Sequence, residues 1–370
     1  RRMASAADTP DEACHPVWSG LLVAFLLAAA AKLLADLAGT AIFHTARTPV
    51  SPVLCAVLFG AIWRNTLGVA ARLESGLKQA STTVLRAGIA LVGLKLTLAT
   101  VGQVGLLALP IVVVCISTAL LLARLLAQPL QLSRDLSQLL AVGTAVCGIT
   151  AVMAVAPLIR ARQDEIGYAV TCIAIFGVMA MLGYPWLAHA LLGANPTAAG
   201  IFLGTAIHDT SQVIGAGLIY SQQFDSPAAL AAATTAKLLR NLSMVVLIPW
   251  FAWAAARHRL TTEPAVRAPG MASLVPTFVW FFVGLVLLRT VGDLQLADSS
   301  LAAAWAALMG YVSTLSEFLL VAGMAAVGLG ISLRSFRGIG WRPLVAAMLI
   351  ALSIGIVSFA MTSWVSGWMQ

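Results

Sequence analysis

The chain has 370 residues and a formal net charge of +8, and its mean hydropathy is +0.95. Hydrophobic residues make up 60% of it and charged residues only 10%, which excludes a soluble domain and indicates a polytopic membrane protein. The basic residues are spread over many short loops, as the positive-inside bias produces, so the net charge gives no reason to expect nucleic-acid binding.

In chain order, residues 1–16 are polar and predict a disordered tail rather than a cleaved signal peptide. From residue 17 to residue 370 we expect a single transmembrane domain, all-α, with internal-repeat halves at about 50–192 and 196–370. Eleven apolar segments have roughly membrane-spanning length, about 20 residues each. They fall at about 17–37, 50–63, 82–101, 104–125, 138–158, 166–190, 198–220, 228–255, 272–291, 301–333 and 342–366.

The cysteines show no pattern of metal binding or of disulfide pairing. Four of the five lie in apolar segments, and their spacing gives neither a disulfide framework nor a paired ligand motif. We therefore expect no metal and no cofactor.

The charges of the loops mostly agree with a cytoplasmic N-terminus, but one loop disagrees. Arg160 and Arg162 would lie outside if every apolar segment were a full span. The conflict disappears if 138–158 and 198–220 are both re-entrant hairpins that enter from opposite sides, because every later loop then keeps its side. Such backbone at membrane depth requires surrounding protein or a water-filled cavity. Two topologies stay open: eleven spans, or nine spans plus two hairpins.

The same two segments share a pattern. Gly143-Thr144-Ala145 and Gly204-Thr205-Ala206 are each followed by Val or Ile, three variable residues and a hydroxyl residue. A pair of Gly-interrupted segments in the two halves of a transporter is the best sequence indication of a binding site. Either a duplication or independent use of one structural device would produce this match.

A second internal similarity joins residues 87–94 to residues 322–329. Under either topology these segments run in opposite directions, which suits the inverted repeat that many secondary transporters have. The two similarities do not fit one simple duplication.

Consecutive polar and ionisable side chains interrupt the apolar sequence at residues 208–212. An ionisable group at membrane depth is costly, so the default interpretation is a functional site. If residues 204–217 are helical, His208, Ser211 and Gln212 share one face. If the segment breaks there, the free N–H groups of a half-helix would offer an anion site.

Farther along the chain, Lys237, Arg240 and Asn241 are spaced to share one helix face. They either form a cationic wall of the substrate path, or the two cations snorkel or neutralise Asp209. Cationic residues outnumber acidic ones inside the apolar segments, which favours an anionic substrate.

Two neighbouring residues are candidates for ion coupling. His208 either carries a coupling proton, because imidazole titrates near neutral pH, or is a satisfied packing residue. Asp209 either carries a coupling ion or pairs with a buried cation. The predicted substrate-binding residues are Cys147, Gly148, Thr150, His208, Thr210, Ser211, Gln212, Lys237, Arg240 and Asn241.

The string Ala206-Ile207-His208-Asp209-Thr210-Ser211-Gln212-Val213, with Lys237 and Arg240-Asn241 after it, resembles the UPF0324 (YeiH) family of bacterial inner-membrane proteins. The resemblance runs from about residue 50 to the C-terminus. It implies an inverted-repeat fold related to the bile-acid-symporter and sodium/proton-antiporter group, with discontinuous helices that cross at mid-membrane. It also implies a multi-pass inner-membrane protein that exports or exchanges a small sulfur-containing anion.

The leading hypothesis is a secondary transporter of a small anion such as sulfate or a sulfonate, coupled to a proton or sodium. One alternative is a cation exchanger of the sodium/proton type centred on Asp209; a passive channel is another. A membrane-embedded enzyme that uses His208 and Asp209 is less favoured, because no nucleophile or metal-ligand cluster accompanies them. The expected partners are the anion, the coupling ion and the lipid bilayer, and Gly-rich helix faces also allow a homodimer.

Overall fold

The computed structural model describes residues 17–37, 51–193, 195–258, 277–296, 300–332 and 340–367. Within these ranges every regular element is a helix, which confirms the prediction of an all-α protein. The predicted disordered tail, residues 1–16, lies outside the described residues.

Numbered in chain order, the α-helices are α1 Val17–Leu37, α2 Pro52–Thr66, α3 Ala71–Gln79, α4 Leu85–Val92, α5 Leu98–Ala127, α6 Arg134–Ala145, α7 Ile149–Ile159, α8 Gln163–Leu192, α9 Pro196–Ala206, α10 Thr210–Gln223, α11 Pro227–Leu242, α12 Met244–His258, α13 Thr277–Leu296, α14 Ala302–Gly330 and α15 Trp341–Ser366. In the described part, seven stretches are long and apolar enough to cross a membrane, namely α1, α5, α8, Pro227–Phe251, α13, α14 and α15. The chain is thus a multi-pass membrane protein.

Helices α6 and α7 form a re-entrant hairpin. They have 12 and 11 residues, so each arm is only about 18 Å long at 1.5 Å per residue, against about 30 Å of bilayer hydrocarbon. Ser133, which caps α6, donates a hydrogen bond to Glu165 in the first turn of α8. The two ends of the hairpin therefore lie on the same side of the membrane. The loop with Arg160 and Arg162 then agrees with the positive-inside bias.

Helices α9 and α10 form a second hairpin. His189, near the end of α8, stacks on Phe224, just after α10, with ring centroids 3.6 Å apart. The chain therefore returns to the side where α9 began. Between the two hairpins lies α8, whose 30 residues extend about 45 Å, so the hairpins enter from opposite sides. The structure thus has the two-hairpin arrangement.

Helices α4 and α14, which carry most of the two similar segments 87–94 and 322–329, pack against each other. A Cβ added at Gly88 would lie 2.9 Å from the side chain of Leu320, and one at Gly323 would lie 2.7 Å from that of Leu85. The residue number rises along one helix as it falls along the other, so these segments run in opposite directions.

One predicted segment, 82–101, has the wrong boundaries. The helical stretch in this region covers 71–95, with a π-helical segment between α3 and α4, and α5 begins at residue 98. Polar residues such as Glu74 and Lys78 lower the hydropathy of the first turns without preventing a helix. The break comes at Thr97, whose side chain accepts a hydrogen bond from the backbone N–H of Thr100 and so caps α5.

The buried apolar side chains form two large clusters, and each cluster holds one hairpin. The first cluster joins α2, α4 and α14 to the hairpin of α9 and α10. The second joins α5, α12 and α15 to the hairpin of α6 and α7. Helices α8 and α11 contribute to both clusters, as does α9 through Ile201, so these helices position the hairpins relative to each other.

Candidate functional site

The tips of the two hairpins meet inside the protein. Each tip is a break of three residues, 146–148 between α6 and α7 and 207–209 between α9 and α10. A Cβ added at Gly148 would lie 3.0 Å from Oδ2 of Asp209. Since α7 and α10 both begin at these breaks, the positive ends of two helix dipoles lie close together.

The carbonyl ends of the first arms, α6 and α9, are held by two cations of α11. Lys237 is completely buried. Its Nζ donates hydrogen bonds to the backbone oxygens of Val146 at 2.9 Å and Ile207 at 3.1 Å, and also to that of His208. One ammonium group therefore joins the two breaks.

Arg240, one turn farther along α11, is also completely buried. Its Nε donates to the backbone oxygen of Ala145 at 2.7 Å, and its Nη1 donates to those of Thr205 at 2.6 Å and Ile207 at 3.3 Å. Its Nη2 donates to the backbone oxygen of Thr144. Since unsatisfied carbonyls at a helix C-terminus carry partial negative charge, this guanidinium neutralises the ends of both α6 and α9.

The two helix N-termini differ in their capping. Asp209 Oδ1 accepts a hydrogen bond from the backbone N–H of Ser211 at 2.8 Å and another from its hydroxyl, so Asp209 caps α10. Asn241 Nδ2 donates to Thr210 Oγ1 at 3.2 Å. By contrast, the N-cap of α7 is Gly148 and supplies no side-chain hydrogen bond. Apart from the N–H of Ala151, which contacts the Cys147 thiol, the first turn of α7 therefore keeps backbone N–H groups that no capping side chain satisfies.

A cavity of about 760 Å³ adjoins both N-termini. From the hairpins and α11 it is lined by Cys147, Ile149, Thr150, Asp209, Thr210, Ser211, Gln212 and Asn241. The other elements contribute Ser81, Thr82, Leu85, Arg86, Ile89, Val170, Thr171, Ala174, Ile175, Val178, Met179, Phe278, Ala326, Val327, Gly330, Ile331 and Ser332. The cavity thus lies between the hairpin tips and the group formed by α4, α8, α13 and α14.

Among the described residues that line this cavity, Arg86 is the one cation and Asp209 the one carboxylate. The guanidinium carbon of Arg86 lies 5.9 Å from the centre of the Phe278 ring, which is within the range of a cation–π contact. Arg86 does not belong to the predicted site. Its charge inside an apolar segment is a signal that could have identified it, whereas Phe278 carries no such signal.

Two amide oxygens at the cavity have no hydrogen-bond partner among the described residues: Gln212 Oε1 and Asn241 Oδ1. Both side chains line the cavity and are buried, with 5% and 4% of the residue exposed. Both oxygens are closed off from solvent, and Gln212 Oε1 lies against Gly177 of α8, so in this structure neither oxygen faces the cavity. The described residues contain no cluster of three or more His, Cys, Asp or Glu that could hold a metal ion.

The structure brings most of the predicted site residues to the cavity wall, namely Cys147, Thr150, Asp209, Thr210, Ser211, Gln212 and Asn241. The others lie behind this wall. Gly148 forms the contact between the tips, and His208 is 1% exposed, with Nδ1 unpartnered among the described residues. The hydrogen bonds of Lys237 and Arg240 go to backbone carbonyls and not to Asp209 or into the cavity.

Comparison with known proteins links this chain to other membrane proteins. A family model described as Conserved hypothetical protein 698 matches residues 19–347. A UPF0324 membrane protein of Bacillus cereus is 27% identical over 92% of this chain and 93% of its own length. Those of Pseudomonas aeruginosa and Bradyrhizobium diazoefficiens are 31% and 30% identical, over 81% and 85% of this chain and 82% and 84% of their own lengths.

Proposed function

Since the chain belongs to the UPF0324 family of membrane proteins, we propose that it is a secondary transporter of a small anion. The anion is one such as sulfate or a sulfonate, and its export or exchange is coupled to a proton or a sodium ion. One observation carries the proposal: two re-entrant hairpins from opposite sides meet at a single cavity, where a helix of each begins. Such discontinuous helices at mid-membrane are typical of the substrate sites of secondary transporters.

The positive groups at the cavity support an anion as the cargo. The uncapped N-terminus of α7 offers backbone N–H groups at Ile149 and Thr150, and helix N-termini bind anions readily. Arg86 adds a full positive charge on the facing wall. Because Lys237 and Arg240 already neutralise the carbonyl ends, the negative ends of the half-helices do not oppose an anion there.

Asp209 supports coupling to a cation. Its carboxylate lies against Gly148 at the start of α7, so a bound anion and an ionised Asp209 would repel each other at short range. A proton or a sodium ion on Asp209 removes this repulsion. The amide side chains of Gln212 and Asn241 also line the cavity, and their oxygens would add ligands for a sodium ion once the amides turn toward it.

The test is anion flux in vesicles that contain only the purified protein. Wild-type protein is expected to exchange labelled sulfate or methanesulfonate, and Asp209→Asn is expected to lower the rate at least tenfold while the protein stays folded. Asp164→Asn, at an exposed site away from the cavity, serves as the matched control and keeps the wild-type rate. The proposal is overturned if no anion moves with wild-type protein, or if Asp209→Asn transports normally.

A second candidate, a cation exchanger centred on Asp209, is favoured by the position of Asp209, which is the one carboxylate among the described residues that line the cavity. The same vesicles decide between the two functions. Sodium or proton exchange that needs no anion and stops in Asp209→Asn would support the second candidate over the first. We assign no catalytic role to His208 and Asp209, because His208 lies behind the cavity wall.

The proposal includes a location. The spread of basic loops and the two-hairpin topology agree with a bacterial inner-membrane protein whose N-terminus is cytoplasmic. With that orientation, the loops at Arg134 and Arg160 lie in the cytoplasm and the loop at Asp225 lies outside. The charges of these loops then follow the positive-inside bias.

A further inference from the structure

Most of the hydroxyl groups on the described cavity wall already donate a hydrogen bond to an acceptor within the protein. Ser81 and Thr82 donate to the backbone oxygen of Lys78 at 3.1 and 2.7 Å. Thr171 donates to that of Gly167 at 2.8 Å, and the hydroxyl of Ser211 donates to Asp209. A hydroxyl has a single proton to donate, so these four side chains have none left for a bound anion.

The donors that remain at the described part of the wall are the Arg86 guanidinium, the hydroxyls of Thr150, Thr210 and Ser332, one amide hydrogen each of Gln212 and Asn241, and the N–H groups that begin α7. A dianion such as sulfate that leaves water must have its charge and all four oxygens satisfied, and burying it without enough partners is costly. The described wall holds one cation, Arg86, and one carboxylate, Asp209. When the coupling ion neutralises Asp209, one positive charge remains, and this suits a monovalent anion better than a divalent one.

The rest of the wall is apolar. Ile175, Val178 and Met179 of α8 face the cavity together with Ile89 of α4 and Phe278 of α13. The volume of about 760 Å³ falls within the range of about 300–1,000 Å³ that is typical of sites for organic ligands, which combine apolar walls with a few polar groups. A single tetrahedral oxyanion would leave most of this wall against water.

We propose that the substrate is an amphipathic, water-soluble organic anion with one charge. Its anionic head, a sulfonate or a carboxylate, binds between the start of α7 and Arg86, and its apolar chain lies along Ile175 and Met179 of α8. This inference rests on the proposed function, because it concerns the same cavity.

The first experiment compares sulfate with methanesulfonate, propanesulfonate and pentanesulfonate by titration calorimetry of the purified protein in an uncharged detergent. Each methylene that enters the cavity is expected to tighten binding about fourfold, and sulfate is expected to bind more weakly than any alkanesulfonate. Affinities that do not rise with chain length, or sulfate binding as tightly as methanesulfonate, overturn the inference.

A pair of variants separates binding in the cavity from partition into detergent. The double variant Ile175→Thr/Met179→Gln makes the α8 wall polar, and we expect the gain per methylene to fall below twofold. The control is Met153→Gln on α7, since Met153 is 56% exposed, close to the 62% of Met179, and does not line the cavity. The control should keep the fourfold gain; a full gain in the double variant would overturn the inference.

The vesicle assay distinguishes this inference from the proposed function. If no anion of any kind binds or moves, the proposed function itself fails. If sulfate binds and is transported as well as the alkanesulfonates, the proposed transport function is supported and only the inference of an amphipathic substrate is rejected.

Discussion

A side chain at Gly148 would meet the carboxylate of Asp209: an added Cβ would lie 3.0 Å from Oδ2 and 3.1 Å from the Cβ of Asp209. The backbone of Gly148 also has φ of +68°, in the region that favours glycine. The contact between the two hairpin tips therefore depends on a residue without a side chain.

Gly148→Ala is expected to lower the free energy of unfolding by about 1–3 kcal/mol, the usual cost of a strained backbone conformation, and to reduce anion flux. Thermal unfolding and vesicle flux measure the two effects. The control is Gly102→Ala in α5, where an added Cβ meets nothing within 4 Å. That change should stabilise slightly, by about 0.5–1 kcal/mol; equal stability of both variants would contradict the prediction.

Arg240→Ala is expected to destabilise the protein by roughly 3 kcal/mol or more, because buried carbonyls of both α6 and α9 lose their donor and each costs about 1–3 kcal/mol. Thermal unfolding in detergent measures the loss. Arg342→Ala is the matched control: Arg342 donates to Gln131 at an exposed site, and its removal should cost less than about 0.5 kcal/mol. A stable Arg240→Ala protein that fails only in anion binding would instead support a cationic wall at this residue.

Arg86→Ala, unlike Arg240→Ala, is expected to weaken anion binding and to leave stability almost unchanged. Arg86 is exposed at the cavity, so its loss is expected to change stability by no more than about 0.5 kcal/mol. Methanesulfonate binding is expected to weaken at least tenfold, because the one cation of the described cavity wall is lost, and Arg86→Lys should restore part of it. Titration calorimetry measures the affinity, with Arg124→Ala as a control for net charge. Unchanged affinity in Arg86→Ala would remove this residue from the site.

The two-hairpin topology predicts the side from which single cysteines react. In a background without the native cysteines, Gln131→Cys and Asp164→Cys should react with a membrane-impermeant maleimide from the same side, and Asp225→Cys from the other. A chain of eleven full spans would place positions 131 and 164 on opposite sides. Labelling of these two from opposite sides would therefore contradict the hairpin of α6 and α7.

Much of the fold can be predicted from the sequence because membrane topology depends on charges and hydropathy. The conflict at Arg160 and Arg162 is sufficient to suggest the hairpins, and the Gly-Thr-Ala pattern locates both breaks. The boundaries of α3 and α4 are harder to predict. Exposed polar residues such as Glu74 lower hydropathy without ending a helix, so a hydropathy window starts the segment too late.

The side to which Lys237 and Arg240 point could not be predicted. Their spacing shows that they share a helix face, but the partners of that face are carbonyls of two helices remote in sequence. The residues of the far wall of the cavity could not be predicted from the sequence either. Phe278 and Met179 belong to ordinary apolar helices, and only the packing of α8 and α13 brings them to the hairpin tips.

The hydrogen bonds of α11 also restrict how the molecule can change shape. Lys237 and Arg240 each donate hydrogen bonds to backbone oxygens of both hairpins. Any motion that separated the tips would therefore leave several buried carbonyls without a donor at once. The two hairpins and α11 must then travel as one rigid body. Access to the cavity from either side of the membrane would have to come from displacement of this body against α4 and α14, whose residues form the facing wall.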